Sequence, residues 1–300
     1  MRNVLFLSLL YCSFAFASPP AHPLSSSELL ASSKPDDWRP VLPENTLYME
    51  LPSGRVILEL NPKFAPESVA NVVALAKENY WDGLAIIRVQ DNYVVQWADP
   101  NDEKPELKKK LKNASEHVNA ELDVPLNASV PFDVLSERDV YAREVGYSSG
   151  FAVGRDLKAK KMWPLHCYGA VGIGRATAPD SGNGTELYAV IGNAPRHLDR
   201  NVTVIGRVIQ GMDLLSSLPR GHGDLGFYEK TEQRTTIRSL HLASRVDPKE
   251  RTVLEVLRTD TPIFKQWVLA RKNRTEDWFH YQAGHIDVCN IPIPIRETKR

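Results

Sequence analysis

The sequence has no excess of either charge and no bias toward turn-forming residues. Its 37 basic and 37 acidic side chains cancel, so no whole-molecule field exists to attract nucleic acid or anionic lipid. Its 17 glycines and 21 prolines are close to average usage, which excludes collagen-like and low-complexity chains. What is present is ordinary: of 300 residues, 42% are hydrophobic and 25% charged. We therefore expect a globular protein with one large core or two modest ones.

The N-terminal segment predicts export. Residues 1–17 carry one early charge (Arg2), an apolar run from Val4 to Phe16, and an Ala-Phe-Ala end. This pattern is typical of a secretory signal peptide cleaved before Ser18, because the run is too short to span a bilayer. Residues 18–44 begin with a Pro- and Ser-rich stretch and are predicted to be a flexible leader. We expect a periplasmic or secreted protein without a membrane anchor.

Two cysteines remain after cleavage, Cys167 and Cys289. In an oxidising compartment a disulfide between them is expected, worth about 4 to 5 kcal/mol in the chain-entropy model. The alternative is a metal site that adds His166, His285 and Asp287, but these spacings match no structural zinc pattern. We expect no metal and no cofactor.

Strand patterns dominate residues 45–247. Residues 45–61 alternate apolar and polar side chains around Pro52-Ser53-Gly54, which predicts a hairpin. A helix follows from Pro66, with Val69, Val72 and Ala76 on one stripe. Further strand-like runs are predicted at 84–89, 93–97, 151–154, 169–173, 187–191 and 202–209. Many short strands with few helices favour a closed antiparallel sheet.

Two regions differ from this texture. Residues 101–143 begin with a lysine-rich stretch and are predicted to be an insertion, with the lysines on a solvated face. Residues 248–300 contain a strand, a helix from Thr261-Pro262 and Cys289. This C-terminal extension is too small for a robust core of its own. We expect it to pack on the barrel, with Cys289 fastening it there.

Two short motifs suggest enzymes of other classes. Residues 146–150 spell G-x-S-x-G, but the strand-like run that follows does not fit the strand-to-helix elbow of a serine hydrolase around Ser148. Gly172-Ile173-Gly174 resembles the start of a dinucleotide fingerprint but lacks a third glycine and a following helix. A tight turn beside a strand is the preferred interpretation.

Four ordered segments carry a more specific signal: 51–76, 86–100, 169–192 and 195–215. In this order and spacing they resemble the cyclophilin-type peptidyl-prolyl isomerases, particularly bacterial secreted members, from about Thr46 to Ala243. The resemblance implies an eight-stranded closed antiparallel barrel with two capping helices. It also implies a cofactor-free enzyme that acts on proline-containing segments of unfolded or exported proteins. We expect the protein to be a monomer.

The resemblance also assigns a groove. Arg88 and Gln96 match the family's catalytic arginine and glutamine, with Tyr93 and Val94 between them. The remaining positions expected to bind substrate are Glu186, Tyr188 and Leu198. Three of these positions depart from the family pattern: valine replaces methionine at 94, glutamate replaces glutamine at 186, and tyrosine replaces phenylalanine at 188. Beside Leu198, His197 replaces a tryptophan.

These residue types suit prolyl isomerisation. The reaction must break amide resonance, whose barrier is roughly 18 to 20 kcal/mol, and needs no covalent step. An apolar cup holds the prolyl ring while a fixed cation stabilises the twisted amide. We therefore expect a peptidyl-prolyl cis-trans isomerase that assists folding of exported proteins. The alternative is a module that binds proline peptides, or a chaperone, whose altered groove no longer accelerates exchange.

Overall fold

A computed structural model describes residues 24–127 and 129–298, so the predicted signal peptide lies outside the described residues. The chain is mostly β. The α-helices in the described part of the chain are α1 (Ser26–Ser32), α2 (Pro66–Lys77), α3 (Met212–Ser216) and α4 (Pro262–Lys272). The strands are β1 (Trp38–Pro40), β2 (Thr46–Leu51), β3 (Gly54–Leu60), β4 (Ala85–Val89), β5 (Val94–Ala98), β6 (Val124–Pro125), β7 (Asp133–Leu135), β8 (Glu144–Ser148), β9 (Phe151–Asp156), β10 (Lys161–Pro164), β11 (Ala170–Ile173), β12 (Leu187–Val190), β13 (Val204–Gln210), β14 (Thr235–Thr236), β15 (Ser239–Leu242), β16 (Leu254–Leu257) and β17 (Ile295–Glu297). Among the described residues, no helix is long and apolar enough to cross a membrane.

The main sheet has nine strands in the order β14-β4-β5-β12-β11-β13-β3-β2-β15. Its two ends are consecutive in the chain, because only Ile237 and Arg238 separate β14 from β15. The N–H of Ile237 donates to Leu84 and that of Arg238 to Glu50, each at 2.8 Å, so this link touches both edges. The main sheet is therefore curled, and its two edge strands, β14 and β15, are not paired with each other. This differs from the closed eight-stranded barrel that the resemblance implies, because strand pairing is interrupted between β14 and β15.

The core of this sheet is packed against α2. Pro66 begins the helix, as the sequence predicts, and Glu67 lies in its first turn. The buried positions of the helix place Val69, Val72 and Ala76 in one cluster with the inward side chains of the strands. The predicted β2–β3 hairpin is present, with Leu51 opposite Gly54.

A second, five-stranded sheet is formed by β6-β10-β9-β8-β7. This sheet differs from two predictions made from the sequence. The predicted strand at 151–154, which was assigned to the barrel, is β9 of this separate sheet. The sheet also combines two strands within the predicted insertion of 101–143, β6 and β7, with three strands that follow it. Alternating apolar and polar residues predict a strand but do not show which sheet the strand joins. The boundary between the two sheets could therefore not be located from the sequence pattern.

The expected flexible leader, residues 18–44, is folded where the structure describes it. Helix α1 begins with a capping box between Ser25 and Glu28. Trp38 is buried and donates from its indole Nε1 to Ser33 Oγ at 2.9 Å. Strand β1 pairs with β16, which also pairs with β17, in a third sheet. Burial of Trp38 therefore orders a segment whose composition suggests mobility.

The C-terminal extension contacts both larger sheets. Cys289 forms the predicted disulfide with Cys167, which follows β10. The larger contact is with the second sheet, rather than with the barrel as expected, through a buried cluster of Trp38, Leu135, Ala142, Val145, Tyr147, Trp163, Leu165, Leu257, Phe264, Trp267, Val288 and Ile291. A smaller cluster packs Leu254 against Tyr48, Ile57 and Ile209 of the main sheet.

Candidate functional site

The candidate site is a row of side chains on the outer face of the main sheet. Cross-strand pairing places Arg88 of β4 opposite Gln96 of β5, and Gln96 opposite Tyr188 of β12. The side chains alternate along β5, so Val95 and Trp97 enter the inner core. Val94 and Gln96 therefore share the opposite face. Strand register thus brings the predicted catalytic pair and the predicted Tyr188 into one line.

Arg88 is held by three hydrogen bonds. Its Nε donates to the Leu225 carbonyl at 2.7 Å, Nη1 donates to Gln96 Oε1 at 2.9 Å, and Nη2 donates to Gln90 Oε1. A guanidinium carries five N–H donors, and the hydrogen bonds among the described residues use three of them. Two donors therefore remain for a substrate. Burial lowers the pKa of Arg88, while Tyr93 and Glu186 act in the opposite direction. An arginine stays charged under these conditions, which makes it a fixed cation at the surface of the sheet.

Glu186 reaches the same row through Gln96. The Gln96 amide donates from Nε2 to Glu186 Oε1 at 2.5 Å, while its Oε1 accepts from Arg88. No ion pair between Arg88 and Glu186 occurs among the described residues, because the amide lies between them. Burial raises the pKa of Glu186, and the charge of Asp102 adds to this effect. The carboxyl group therefore orients Gln96 rather than withdrawing the guanidinium.

Aromatic side chains stand beside the cation. The guanidinium carbon of Arg88 lies 5.7 Å from the Tyr93 ring centre and 5.3 Å from that of Phe227. Tyr93 stacks on His197 with ring centres 6.1 Å apart and planes within 2°. The adjoining apolar cluster consists of Val94, Ala170, Tyr188, Val190 and Val204, with Tyr93 and Val202 packed against it. The cation therefore lies beside Tyr93, which packs against a buried apolar cluster.

The hydroxyl of Tyr188 has a buried partner. His166 is fully buried, and its Nε2 lies 2.8 Å from Tyr188 Oη. Its Nδ1 lies 2.9 Å from Asp199 Oδ1. A carboxylate can only accept, so Nδ1 carries a proton, and in the tautomer with one proton Nε2 accepts from Tyr188. Burial raises the pKa of Tyr188. The phenolic oxygen of the buried Tyr188 therefore has a hydrogen-bond partner in the protein interior.

Two glycines make room for these side chains. A Cβ on Gly172 would lie 2.3 Å from Tyr188 Oη, and one on Gly174 would lie 1.9 Å from Glu186 Oε1. Gly172 lies within strand β11, and neither glycine has a left-handed φ. The Gly-Ile-Gly run is therefore not the tight turn expected from the sequence. Close side-chain approach, rather than backbone conformation, explains these glycines.

Some positions differ from the sequence-based prediction. Leu198 is half-buried in the short 3-10 helix Arg196–Leu198, and the residue of that helix that stacks on Tyr93 is His197. Sequence reasoning missed Leu225, which fixes Arg88 through its carbonyl, and Phe227. The only signal for this loop was its three glycines at 221, 223 and 226.

The alternative chemistries find no support. Ser148 ends β8, and Ser149 and Gly150 form a tight turn with φ of 51° and 87° before β9 begins. The G-x-S-x-G motif is therefore a β-hairpin and not a strand-to-helix elbow. The cysteines of the metal hypothesis form the disulfide, and no group of three or more potential ligands occurs within residues 24–127 and 129–298.

Comparison with known proteins identifies the family of this chain. The family model "Cyclophilin type peptidyl-prolyl cis-trans isomerase/CLD" matches residues 46–242. A protein of Brucella suis biovar 1 described as "Probable peptidyl-prolyl cis-trans isomerase" is 28% identical over 179 residues, covering 60% of this chain and 74% of that protein. The chain belongs to the cyclophilin-type peptidyl-prolyl cis-trans isomerase family. Its activity is peptidyl-prolyl cis-trans isomerisation.

The similarity extends beyond the family domain. The crystal structure of the cyclophilin AquaCyp293 from Hirschia baltica superposes with a TM-score of 0.71 at 25% identity, covering 91% of this chain and 97% of that one. The family model ends at residue 242. A match of 91% therefore also takes in much of the chain outside the family domain.

A shorter match is to the Homo sapiens protein "Peptidyl-prolyl cis-trans isomerase-like 1", which is 32% identical over 71 residues, covering 24% of this chain and 40% of that protein.

Proposed function

We propose that the groove beside Arg88 is the catalytic site and that it acts on X-Pro bonds of exported polypeptides. The observation that carries this proposal is the guanidinium of Arg88, fixed by three acceptors with two donors to spare and placed against an apolar wall. Fixed donors stabilise a developing charge without reorganising during the reaction. Gln96 and Glu186 act as positioning residues for this cation.

Rotation about the prolyl bond explains why this arrangement suffices. The amide nitrogen gains a localised lone pair only when the bond is twisted, so a donor aimed at it favours the transition state over both ground states. The two isomers differ by only about 0.5 to 1 kcal/mol, so the task is kinetic. Val94, Tyr93 and Tyr188 form the apolar wall proposed to hold the prolyl ring.

A periplasmic or secreted location belongs to this proposal. The disulfide between Cys167 and Cys289 is consistent with an exported protein. The apolar run of residues 4–16 supplies the corresponding signal in the sequence. Unfolded exported chains with slow X-Pro bonds are the substrates that such a location offers.

The test is cis/trans exchange of a short proline peptide, measured by NMR with and without the protein. Replacing Arg88 with Ala removes the cation and is expected to lower kcat/KM by about 10² to 10³-fold, the range for loss of a preorganised donor. Arg88→Lys keeps the charge but loses the fork of donors, so only partial recovery is expected. Equal rates for the wild-type protein and Arg88→Ala would remove Arg88 from this role. Peptide binding without any acceleration would select the non-catalytic alternative.

A further inference from the structure

A loop is hydrogen-bonded to the strand that carries Arg88. Residues 219–230, here called the Arg88 loop, are joined to β4 on both sides of Arg88. The N–H of Gly221 donates to the Val89 carbonyl at 2.9 Å, and that of Tyr228 donates to the Ile87 carbonyl at 3.0 Å. The Tyr228 side chain is buried, and its hydroxyl donates to the Pro219 carbonyl at 2.5 Å. The loop therefore holds a defined position beside the cation.

Leu225 occupies an unfavourable backbone conformation in this loop. Its φ of 54° and ψ of 18° fall in the left-handed region, which is disfavoured for a residue with a branched apolar side chain. Its carbonyl accepts the hydrogen bond from Arg88 Nε, but any residue supplies a carbonyl. Glycine would adopt the same backbone without strain, and the loop has glycines at 221, 223 and 226. Fixing Arg88 therefore does not explain why the residue is leucine.

The side chain of Leu225 also gains little from the fold. It is 66% exposed, and the neighbouring Phe227 is 37% exposed. Phe227 forms a bridge with Arg88 and lies over its guanidinium. Two exposed apolar residues of the loop thus contact Arg88, Phe227 through its ring and Leu225 through its backbone carbonyl. Strained, exposed residues that the fold does not require are found at functional sites.

We propose that Leu225, with Phe227 beside it, is a specificity-determining residue that contacts an apolar side chain flanking the proline of the substrate. This proposal rests on the proposed role of Arg88, because the contact lies beside that guanidinium. The preferred substrate is then a peptide with a leucine-like residue next to its X-Pro bond. Peptides with glycine or a charged residue there do not use the contact.

The experiment compares kcat/KM for proline peptides carrying Leu, Gly or Lys immediately before or immediately after the X-Pro pair. For Leu225→Gly we expect a loss of about tenfold on one of the Leu-flanked peptides, in the range for loss of a small apolar contact. The discriminating quantity is the ratio of kcat/KM for the Leu-flanked peptide to that for the Gly-flanked peptide, which cancels any effect of the variant on the rate common to both. Leu225→Asn, which tolerates the left-handed backbone but is polar, should lose the same preference.

Stability supplies an independent readout. Leu225→Gly should raise the denaturation midpoint, because the strain is relieved while the carbonyl remains. The matched control is Lys160→Gly, at an exposed position with φ of 54° in the turn between β9 and β10. It should change no peptide rate. Equal discrimination by wild type and Leu225→Gly would overturn the proposal.

The outcomes separate this proposal from the function itself. If the wild-type protein accelerates no proline peptide, the catalytic role of Arg88 fails, and peptide affinity measured by calorimetry replaces kcat/KM. Weaker binding of the Leu-flanked peptide by Leu225→Gly would then still support the contact, and unchanged affinity would reject it.

Discussion

At the residue scale, Glu186 gives the groove a pH dependence. Burial raises its pKa above the usual value for a glutamate, so the folded state holds the proton more tightly than the unfolded state. Stability is therefore complete below the unfolded pKa and falls as pH rises through the folded pKa. Glu186→Gln removes this loss and keeps an acceptor for Gln96 Nε2. We therefore expect the unfolding free energy of the variant, minus that of the wild type, to be larger at pH 7 than at pH 4.

Urea denaturation at both pH values checks this expectation. The relevant quantity is the difference between the unfolding free energies of the two proteins, because other groups titrate equally in both. A difference that is the same at pH 4 and pH 7 would contradict the raised pKa of Glu186. Exchange rates of the variant would show in addition whether orientation of Gln96 depends on the carboxyl group.

Sequence reasoning at this scale identified residue types better than their partners. The register of β4, β5 and β12 aligns Arg88, Gln96 and Tyr188 as the resemblance implies. The partner of the Tyr188 hydroxyl, His166, could not be found, because it lies 22 residues away in a segment with no local motif. Side-chain hydrogen bonds between distant segments leave no periodic trace in the sequence.

At the element scale, the second sheet depends on a close approach at Gly146. A Cβ there would lie 2.2 Å from the carbonyl oxygen of Asp133 on the neighbouring strand β7. Gly146→Ala should therefore separate β7 from β8, at a cost of about 1 to 3 kcal/mol for an overpacked site. Hydrogen exchange should increase at the amides of β7 and β8. Amides of β5, in the main sheet, serve as the internal control.

No change in protection at β7 would show that the backbone absorbs the extra methyl group. A loss of protection throughout the molecule would show instead that the two sheets unfold together. Either result would contradict an effect confined to the second sheet.

The elements themselves were predicted unevenly. The β2–β3 hairpin and α2 are local structures with clear turn and cap signals, and both lie where the sequence places them. The assignment of β9 failed because strand pairing is a long-range property. Strand β1 was missed because three residues are too few for a periodic pattern.

At the scale of the whole molecule, one buried carboxylate joins all three sheets. Glu59 of β3 pairs with Arg39 of β1 at 2.5 Å and with Arg207 of β13 at 3.0 Å. The two arginines also donate to the carbonyls of Ser149 and Gly150 in the β8–β9 hairpin. Burial raises the pKa of Glu59, but the charges of Arg207 and Arg39 outweigh it and lower the pKa overall.

Removing this charge should loosen the junction. Glu59→Gln leaves two partly buried guanidinium groups without their counter-ion, and we expect a loss of roughly 3 to 5 kcal/mol. In the wild-type protein the stabilisation is present above the unfolded pKa, near 4.5, and is lost as pH falls through the lowered folded pKa. Chemical denaturation at pH 7 and below pH 4 measures both effects. The variant and wild type should converge in acid, and a constant difference would contradict the ion pair.

The pairing of β1 with β16 places Trp38 opposite Leu257. Ribosomes deliver the first of these residues more than two hundred positions before the second, so the opening strand must wait for a partner from the far end of the chain. Contacts of such long sequence separation form slowly. A polypeptide that ends before β16 therefore lacks both the strand that pairs with β1 and the Leu257 side chain that shares a buried cluster with Trp38.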